Sequence, residues 1–290
     1  MFSKAYEIAS TYTQPLLVSS RLFNGEIKNN LGSFVIINDE GWIITVAHML
    51  DSLIAFNQNN KEIQDFNTKL TQIENDSNLN KKEKLKKIKK LSSKPNWVIN
   101  SSHWWGHDSH RIKNFHILKE NDIAIGKIEN YNPAFCNNYP IFKNPKDLKY
   151  GTSLCKLGYP FYDVKSTFNE QNNSFTFDSS IFPIPRFPID GIFTRNIVAG
   201  KSLGNKFDIK YIETSTPGLR GQSGGPIFDT DGNIWAIQSQ TRHLPLGFSP
   251  KIKKGNKDIE ENQFLNVGWG AHVETILNFL DFHSIKYTKT

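Results

Sequence analysis

The apolar positions of this chain fall in short, β-branched runs separated by polar turn residues. Phe34 to Ile37 and Trp42 to Val46 flank Asn38-Asp39-Glu40-Gly41, and two such runs around a glycine-bearing turn predict a hairpin. Ile112 to Leu118, Ile123 to Ile128, Ser153 to Leu157, Gly191 to Val198, Ile209 to Ile212 and Ile234 to Ile237 have the same character, with Gly, Pro, Asn and Asp between them. Many short strands without alternating helices predict an all-β barrel or sandwich.

Two segments depart from this pattern. Between Lys61 and Leu91 the chain is rich in Lys, Glu and Asn, yet Phe66, Leu70 and Ile73 recur at helical spacing, as do Leu85, Ile88 and Leu91. The spacing predicts a helical hairpin inserted between strands and joined near Asp76 to Asn80. Val273, Ile276, Leu277 and Leu280 predict a C-terminal amphipathic helix. Tyr131 to Lys149, with Pro133, Pro140 and Pro145, reads as a connector between halves. The expected organisation is a first half over 1–130 with its insertion at about 61–91, a connector over 131–149, a second half over 150–271, and a helix and tail over 272–290.

At 290 residues, with 38% hydrophobic and 22% charged positions, the chain can bury its own core and has the composition of neither a membrane-embedded nor a wholly disordered protein. No stretch approaches the roughly 20 apolar residues of a spanning helix. The net charge is +7, but KKEKLKKIKK over 81–90 holds seven lysines against one glutamate, so the basic character is one local patch. That patch lacks interleaved aromatics or arginines, so nucleic-acid binding is not expected. It reads as a solvated helix face or a docking site for a regulatory protein. Two cysteines, Cys136 and Cys155, and a Ser/Thr-rich N-terminal stretch with Glu7 and Pro15 point to a reducing, cytoplasmic location.

The chemistry concentrates in three motifs. Gly221-Gln222-Ser223-Gly224-Gly225-Pro226 sets glycines on both sides of one serine, which lets the backbone turn tightly, expose the hydroxyl and aim amide N–H groups at one point. A serine hydroxyl is a weak nucleophile at neutral pH and needs a general base, and that base needs a carboxylate to fix its tautomer. His48 follows the run Ile43 to Ala47, and Asp122 opens Asp122-Ile123-Ala124-Ile125.

Thr45-Val46-Ala47-His48, Asp122-Ile123-Ala124-Ile125 and Gly221 to Pro226, in the order His, Asp, Ser, resemble the three signatures of chymotrypsin-like (trypsin-like) serine peptidases. The order discriminates, because α/β hydrolases place these groups differently along the chain. The hairpin from Gly32, the segment Tyr150 to Phe161 and the ending Val267 to Leu280 look most similar to the bacterial HtrA-like or V8-like branch, without a PDZ domain. The resemblance implies two six-stranded antiparallel β-barrels with the active site between them. It implies His48, Asp122 and Ser223 as the catalytic residues, an oxyanion hole from the backbone N–H groups of Gly221 and Ser223, and no cofactor. Gln238, Ser239 and Gln240 would then wall the substrate pocket. The expected function is a serine endopeptidase acting on a protein or peptide in a regulatory, stress or defence setting. The competing reading is a catalytically silent, peptidase-like scaffold that binds a peptide, protein partner or nucleic acid.

Two departures bear on regulation and specificity. Gln222 precedes the serine where zymogen-activated relatives carry aspartate, so activation by a new N-terminus is not expected. Pro217 stands where trypsin-type enzymes place the acid that reads Arg or Lys. His243 and Arg220 are read as surface residues in preference to readers of an acidic side chain. His103, His107, His110 and His116 crowd one stretch but fit no metal-ligand spacing, so no metal is expected, and Trp104-Trp105 is read as packing. Phe182 to Pro188 is read as a stiff, structured loop.

Overall fold

In the computed structural model, which describes residues 1–91, 93–105, 111–255 and 257–290, the expected hairpin lies at the centre of the first of two large sheets. Helix α1 (Ser3–Tyr12) leads into strands β1 (Thr13–Leu22), β2 (Ile27–Ile36) and β3 (Trp42–Thr45). Helices α2 (Asp51–Asn75) and α3 (Lys81–Ile88) follow, then β4 (Val98–Trp104), β5 (Ile112–Leu118) and β6 (Ile123–Ile128). The second part holds β7 (Ile141–Phe142), β8 (Ser153–Gly158), β9 (Ser166–Asn169), β10 (Ser174–Phe177), β11 (Phe187–Lys201), β12 (Asp208–Thr214) and β13 (Pro226–Phe228). It ends with β14 (Ile234–Pro245), β15 (Lys251–Lys254), β16 (Lys257–Glu260), β17 (Phe264–His272), α4 (Val273–Phe282) and β18 (Thr288–Lys289).

The first sheet has six strands in the order β4-β1-β2-β3-β6-β5, and a Trp104–Arg111 bridge links its two outer strands. Val35 pairs with Ile44 and Ile36 with Ile43. The turn between them works because Gly41 adopts φ +80° and the Asn38 side chain accepts from the N–H groups of Glu40 and Trp42. The second sheet has eight strands rather than the six expected. Its order is β13-β8-β11-β12-β17-β14-β7-β18, with a further β13–β14 pairing, and β7 and β18 are the additions. This mostly-β architecture is consistent with the two-barrel chymotrypsin-like fold.

The helical insertion starts earlier than expected. Ser52 to Asn60 holds no Gly or Pro to stop a helix, so α2 begins at Asp51, directly after the turn that carries His48. The break at 76–80 falls where the sequence places it, and Asn80 with Glu83 forms a reciprocal capping box at the start of α3. Phe66 anchors α2 edge-on against Phe23 and Trp97 at ring separations of 5.5 and 5.8 Å. The C-terminal helix α4 buries Val273, Ile276, Leu277 and Leu280 as its spacing requires, and the His272 ring caps it by accepting from Glu274 N–H.

Helix α1 and strand β1 are among the elements with no counterpart in the sequence reading. Thr13 to Leu22 forms a full strand, and α1 docks on the second sheet, burying Ala5, Ala9 and Tyr12. The Tyr12 hydroxyl donates to Gly232 O at 2.7 Å. Trp105 is buried against Phe34 and Trp104 stacks on Phe177, so the tryptophan pair packs as expected. Arg186, in the proline-rich loop, donates to Thr13 O and lies over the Tyr159 ring.

Candidate active site

His48 sits in the short 3-10 turn Ala47–Leu50 at the end of β3, and Asp122 closes the turn before β6 with φ +55°, a left-handed conformation that aspartate tolerates. Because β3 and β6 are neighbours, paired from Trp42–Lys127 to Thr45–Ala124, both residues emerge at the same end of the sheet. The Asp122 carboxylate accepts from the His48 main-chain N–H through Oδ1 and meets the ring Nδ1 through Oδ2, both at 2.9 Å. Its Oδ2 also accepts from the Ser239 hydroxyl at 2.6 Å. Desolvation pulls the His48 pKa down, but the Asp122 hydrogen bond and charge, with Asp51 behind them, outweigh it and hold the pKa above the ordinary histidine value. Such a pair keeps the Nε2 side of the ring free to accept a proton.

Ser223 comes from the second sheet and is locked to the first. Ser33 N–H donates to Ser223 O at 2.7 Å, and the Ser33 hydroxyl donates to Gly221 O at 2.8 Å. Gly32 separates Met49 from Ser223, since a Cβ there would stand 2.7 Å from Met49 Cε and 3.1 Å from Ser223 O. Within the loop, Gly221 has φ +99° and Gly224 φ +86°. A side chain on either would strike a carbonyl, Tyr159 O at 2.3 Å or Ser33 O at 2.0 Å. Gln222 is fully buried and braces the loop from inside, accepting from Leu219 N–H and donating to Phe187 O. Among the described residues, the amide N–H groups of Gly221 and Ser223 have no acceptor, and no hydrogen bond joins the Ser223 hydroxyl to His48. Hydrogen bonds of this kind often tighten only with substrate in place.

Of the three residues expected to wall the pocket, Ser239 fastens Asp122 and lines, with Gln240, His48, Asp122, Ile54 and Tyr211, a cleft of about 440 Å³, and Gln238 is buried. A second cleft, of about 340 Å³, opens beside Gly221 and Arg220 between Leu31, Tyr159 and Phe161. Ser33 and Met49 carry no motif. Their part in the site comes from long-range packing, and no local signal marks them.

A family model for the trypsin-like peptidase domain matches residues 32–237, which includes all three motifs. The chain belongs to the trypsin-like peptidase family. The likeness to its HtrA-like side is borne out by a curated relative, the probable periplasmic serine endoprotease DegP-like of Pseudomonas fulva (strain 12-X), 30% identical over 131 residues. That match covers 44% of this chain and only 21% of the relative, so the chain spans about a fifth of the relative's length. The fold resembles a variant of the HtrA-type protease AlgW with a tripeptide, at 15% identity and TM-score 0.50, covering 97% of this chain and 62% of that one. The same variant with a decapeptide gives 13% identity and TM-score 0.50 over 98% and 68%.

The relative corrects one expectation, for it is described as periplasmic, and the cytoplasmic location does not stand. The cysteine argument fails for a physical reason: both thiols are buried and free, and burial pushes their pKa values up to about 11 for Cys136 and about 12 for Cys155. Thiols so protonated and shielded resist oxidation in either compartment and do not report the redox state around them.

Of the four crowded histidines, His107 and His110 lie outside the described residues. His103 is buried against Met49 O, and His116 stacks on His283 at 3.9 Å. Among the described residues no three His, Cys, Asp or Glu side chains converge as metal ligands, and no helix is long and apolar enough to cross a membrane.

Proposed function

We propose that this chain is a serine endopeptidase in which Ser223 is the nucleophile, His48 the general base and acid, and Asp122 the group that orients and charges His48. The observation that carries the reading is the double hold of Asp122 on His48, by ring and by main chain at 2.9 Å each, with Ser223 tied through Ser33 to the sheet that carries them. Ser223 Oγ attacks the carbonyl carbon of a peptide bond while His48 Nε2 takes its proton. The oxyanion that forms faces the unpaired N–H groups of Gly221 and Ser223. His48 returns the proton to the leaving amine, and water then hydrolyses the acyl-enzyme by the same exchange.

In this reading each half contributes a six-stranded barrel, the second closed by the β13–β14 pairing with β7 and β18 appended. The substrate is a protein or peptide lying along the two clefts, in a regulatory, stress or defence setting, and the location is that of the periplasmic relative. The lysines of α3 serve as a docking site for a regulatory protein. Because α3 joins through the turn at 76–80 to α2, which starts three residues after His48, docking there reaches the base through the helical hairpin.

The test is labelling of the purified protein by a fluorophosphonate probe, with Ser223→Ala as control. Labelling that disappears in the variant supports an assembled nucleophile. A folded wild-type protein that stays unlabelled, alone and with every candidate partner, points to a silent scaffold.

A further inference from the structure

Lys156 is a buried charge on the second sheet. It lies on β8 with 1% of its surface exposed, and among the described residues no carboxylate pairs with it. Its Nζ donates to Thr214 Oγ1 at 2.9 Å, Thr216 O at 2.5 Å and Thr216 Oγ1 at 2.9 Å. Glu213, the neighbouring acid on β12, is already committed to Arg195, Trp269 and Thr194. Burial without a counter-ion pushes the lysine down to about 7. A buried cation served only by neutral oxygens is an expensive way to fasten β8 to β12 and the loop after it, since an apolar side chain of similar size would pack there without that cost.

Its position gives the charge a use. Thr214 and Thr216 begin the segment that runs through Pro217 and Gly218 to Ser223. Gly268 on β17 pairs with both Thr214 and Thr241, and a Cβ on it would come within 2.9 Å of Lys156 Nζ. Gly218 packs directly on Gln238, the residue before the serine that holds Asp122. The segment 214–218, Gly268 and the start of the 238–241 stretch therefore pack as one cluster around Lys156, on the chain that leads to Ser223. Its rim, Thr216, Gly218, Gln240 and Thr241, is half-exposed, and its floor holds Lys156 and Gln238. Gln238 Oε1, an acceptor on that floor, is buried without a partner. The Thr241 hydroxyl bridges the mouth to Gly218 O at 2.6 Å, a bond that an entering side chain replaces.

We propose that Lys156 forms the floor of the pocket for the residue on the acyl side of the scissile bond, and that it selects an acidic side chain there, aspartate or glutamate. A carboxylate reaching the floor meets the Lys156 ammonium, and Gly218 and Gly268 are places where any side chain would collide, with Gln238 Nε2 at 2.1 Å and with Thr216 O at 2.7 Å. His243, the other candidate for this task, is exposed and engaged with Asn266 at 2.5 Å. The proposal rests on the peptidase reading above.

Peptides identical except for Glu, Asp, Gln, Leu or Lys at that residue test it, with fluorophosphonate labelling of Ser223 run in parallel. The expected result is a kcat/KM about tenfold or more higher for Glu than for its isostere Gln, the scale of one charge-assisted contact. Lys156→Met is expected to bring that ratio to about one, a comparison made within the variant so that any general loss of rate cancels. A protein that labels and cleaves but favours Gln, Leu or Lys overturns the assignment and leaves the peptidase reading intact. The same holds for an acid preference that survives Lys156→Met, which would make the lysine a structural tether. A protein that neither labels nor cleaves overturns both. Should Lys156→Met fail to fold, the Glu-to-Gln ratio of the unaltered protein decides, and a ratio of one or less sinks the proposal.

Discussion

Ser239 and Asp122 face each other across the junction of the two sheets, the hydroxyl of the first donating to the carboxylate of the second at 2.6 Å. One carboxylate thus collects three donors, two from His48 and one from Ser239, and is held in the plane that its partner ring requires. The second sheet, which supplies Ser223, also holds the carboxylate that meets the His48 ring.

Removing that hydroxyl isolates its contribution. Ser239→Ala is expected to lower kcat about 10- to 100-fold, the range for one hydrogen bond to a charged group, with little change in KM. Steady-state kinetics on a single peptide substrate check it, and an unchanged kcat would show that His48 alone suffices to orient Asp122.

The raised pKa of His48 makes activity and stability run in opposite directions with pH. Catalysis needs the neutral ring, so kcat/KM falls as pH drops through a value above 6.5. The protonated ring is favoured in the folded state, so its stabilising contribution is complete below the unfolded pKa and is lost as pH rises through the folded one. Asp122→Asn removes the two largest opposing influences and leaves desolvation, the largest of all, against the weaker Asp51 charge. The inflection is expected to move below 6.5, with kcat falling by roughly 10³- to 10⁴-fold. A pH–rate profile of both proteins, with melting temperatures at the same pH values, tests the sign.

Two glycines with the same backbone sign separate strain from collision. Gly221 and Gly25 both have positive φ, but a Cβ on Gly221 would meet Tyr159 O at 2.3 Å, whereas one on Gly25 meets nothing within 4 Å. Gly25→Ala is expected to cost about 1 kcal/mol of stability and no labelling. Gly221→Ala is expected to cost more and to abolish probe labelling, because the Gly221 N–H moves with the loop. Chemical denaturation and probe labelling of the pair distinguish the two effects.

The attachment of α2 rests on a small aromatic cluster. Phe66→Ala, by removing the edge contacts to Phe23 and Trp97, is expected to destabilise the protein by about 1–3 kcal/mol. Amide exchange should rise first along α2. If exchange rises equally across both sheets, the insertion is part of the cooperative core.

Much of this molecule was legible from its residues, and the reasons are local. Alternating β-branched runs around Asn38 to Gly41 could only pair as a hairpin, and the spacing of Val273 to Leu280 could only bury one helix face. His48, Asp122 and the glycine-flanked Ser223 were visible because their chemistry constrains the residues beside them. What the sequence left open depends on contacts between distant segments. The polar stretch Thr13 to Leu22 becomes a strand only because β2 and β4 lie on either side of it. The start of α2 at Asp51 follows from the turn after β3 and not from periodicity. The two extra strands of the second sheet are short edge pieces with too few residues to show a pattern. Ser239 reads as an ordinary strand serine until Asp122 stands opposite it. Lys156 looks like any surface lysine until β8 turns it inward toward Thr214 and Thr216. Local pattern fixes which elements form, because backbone hydrogen bonding and side-chain alternation act over a few residues. The partners of a side chain fixed in the interior are set by the packing of whole sheets, which no short stretch of sequence contains.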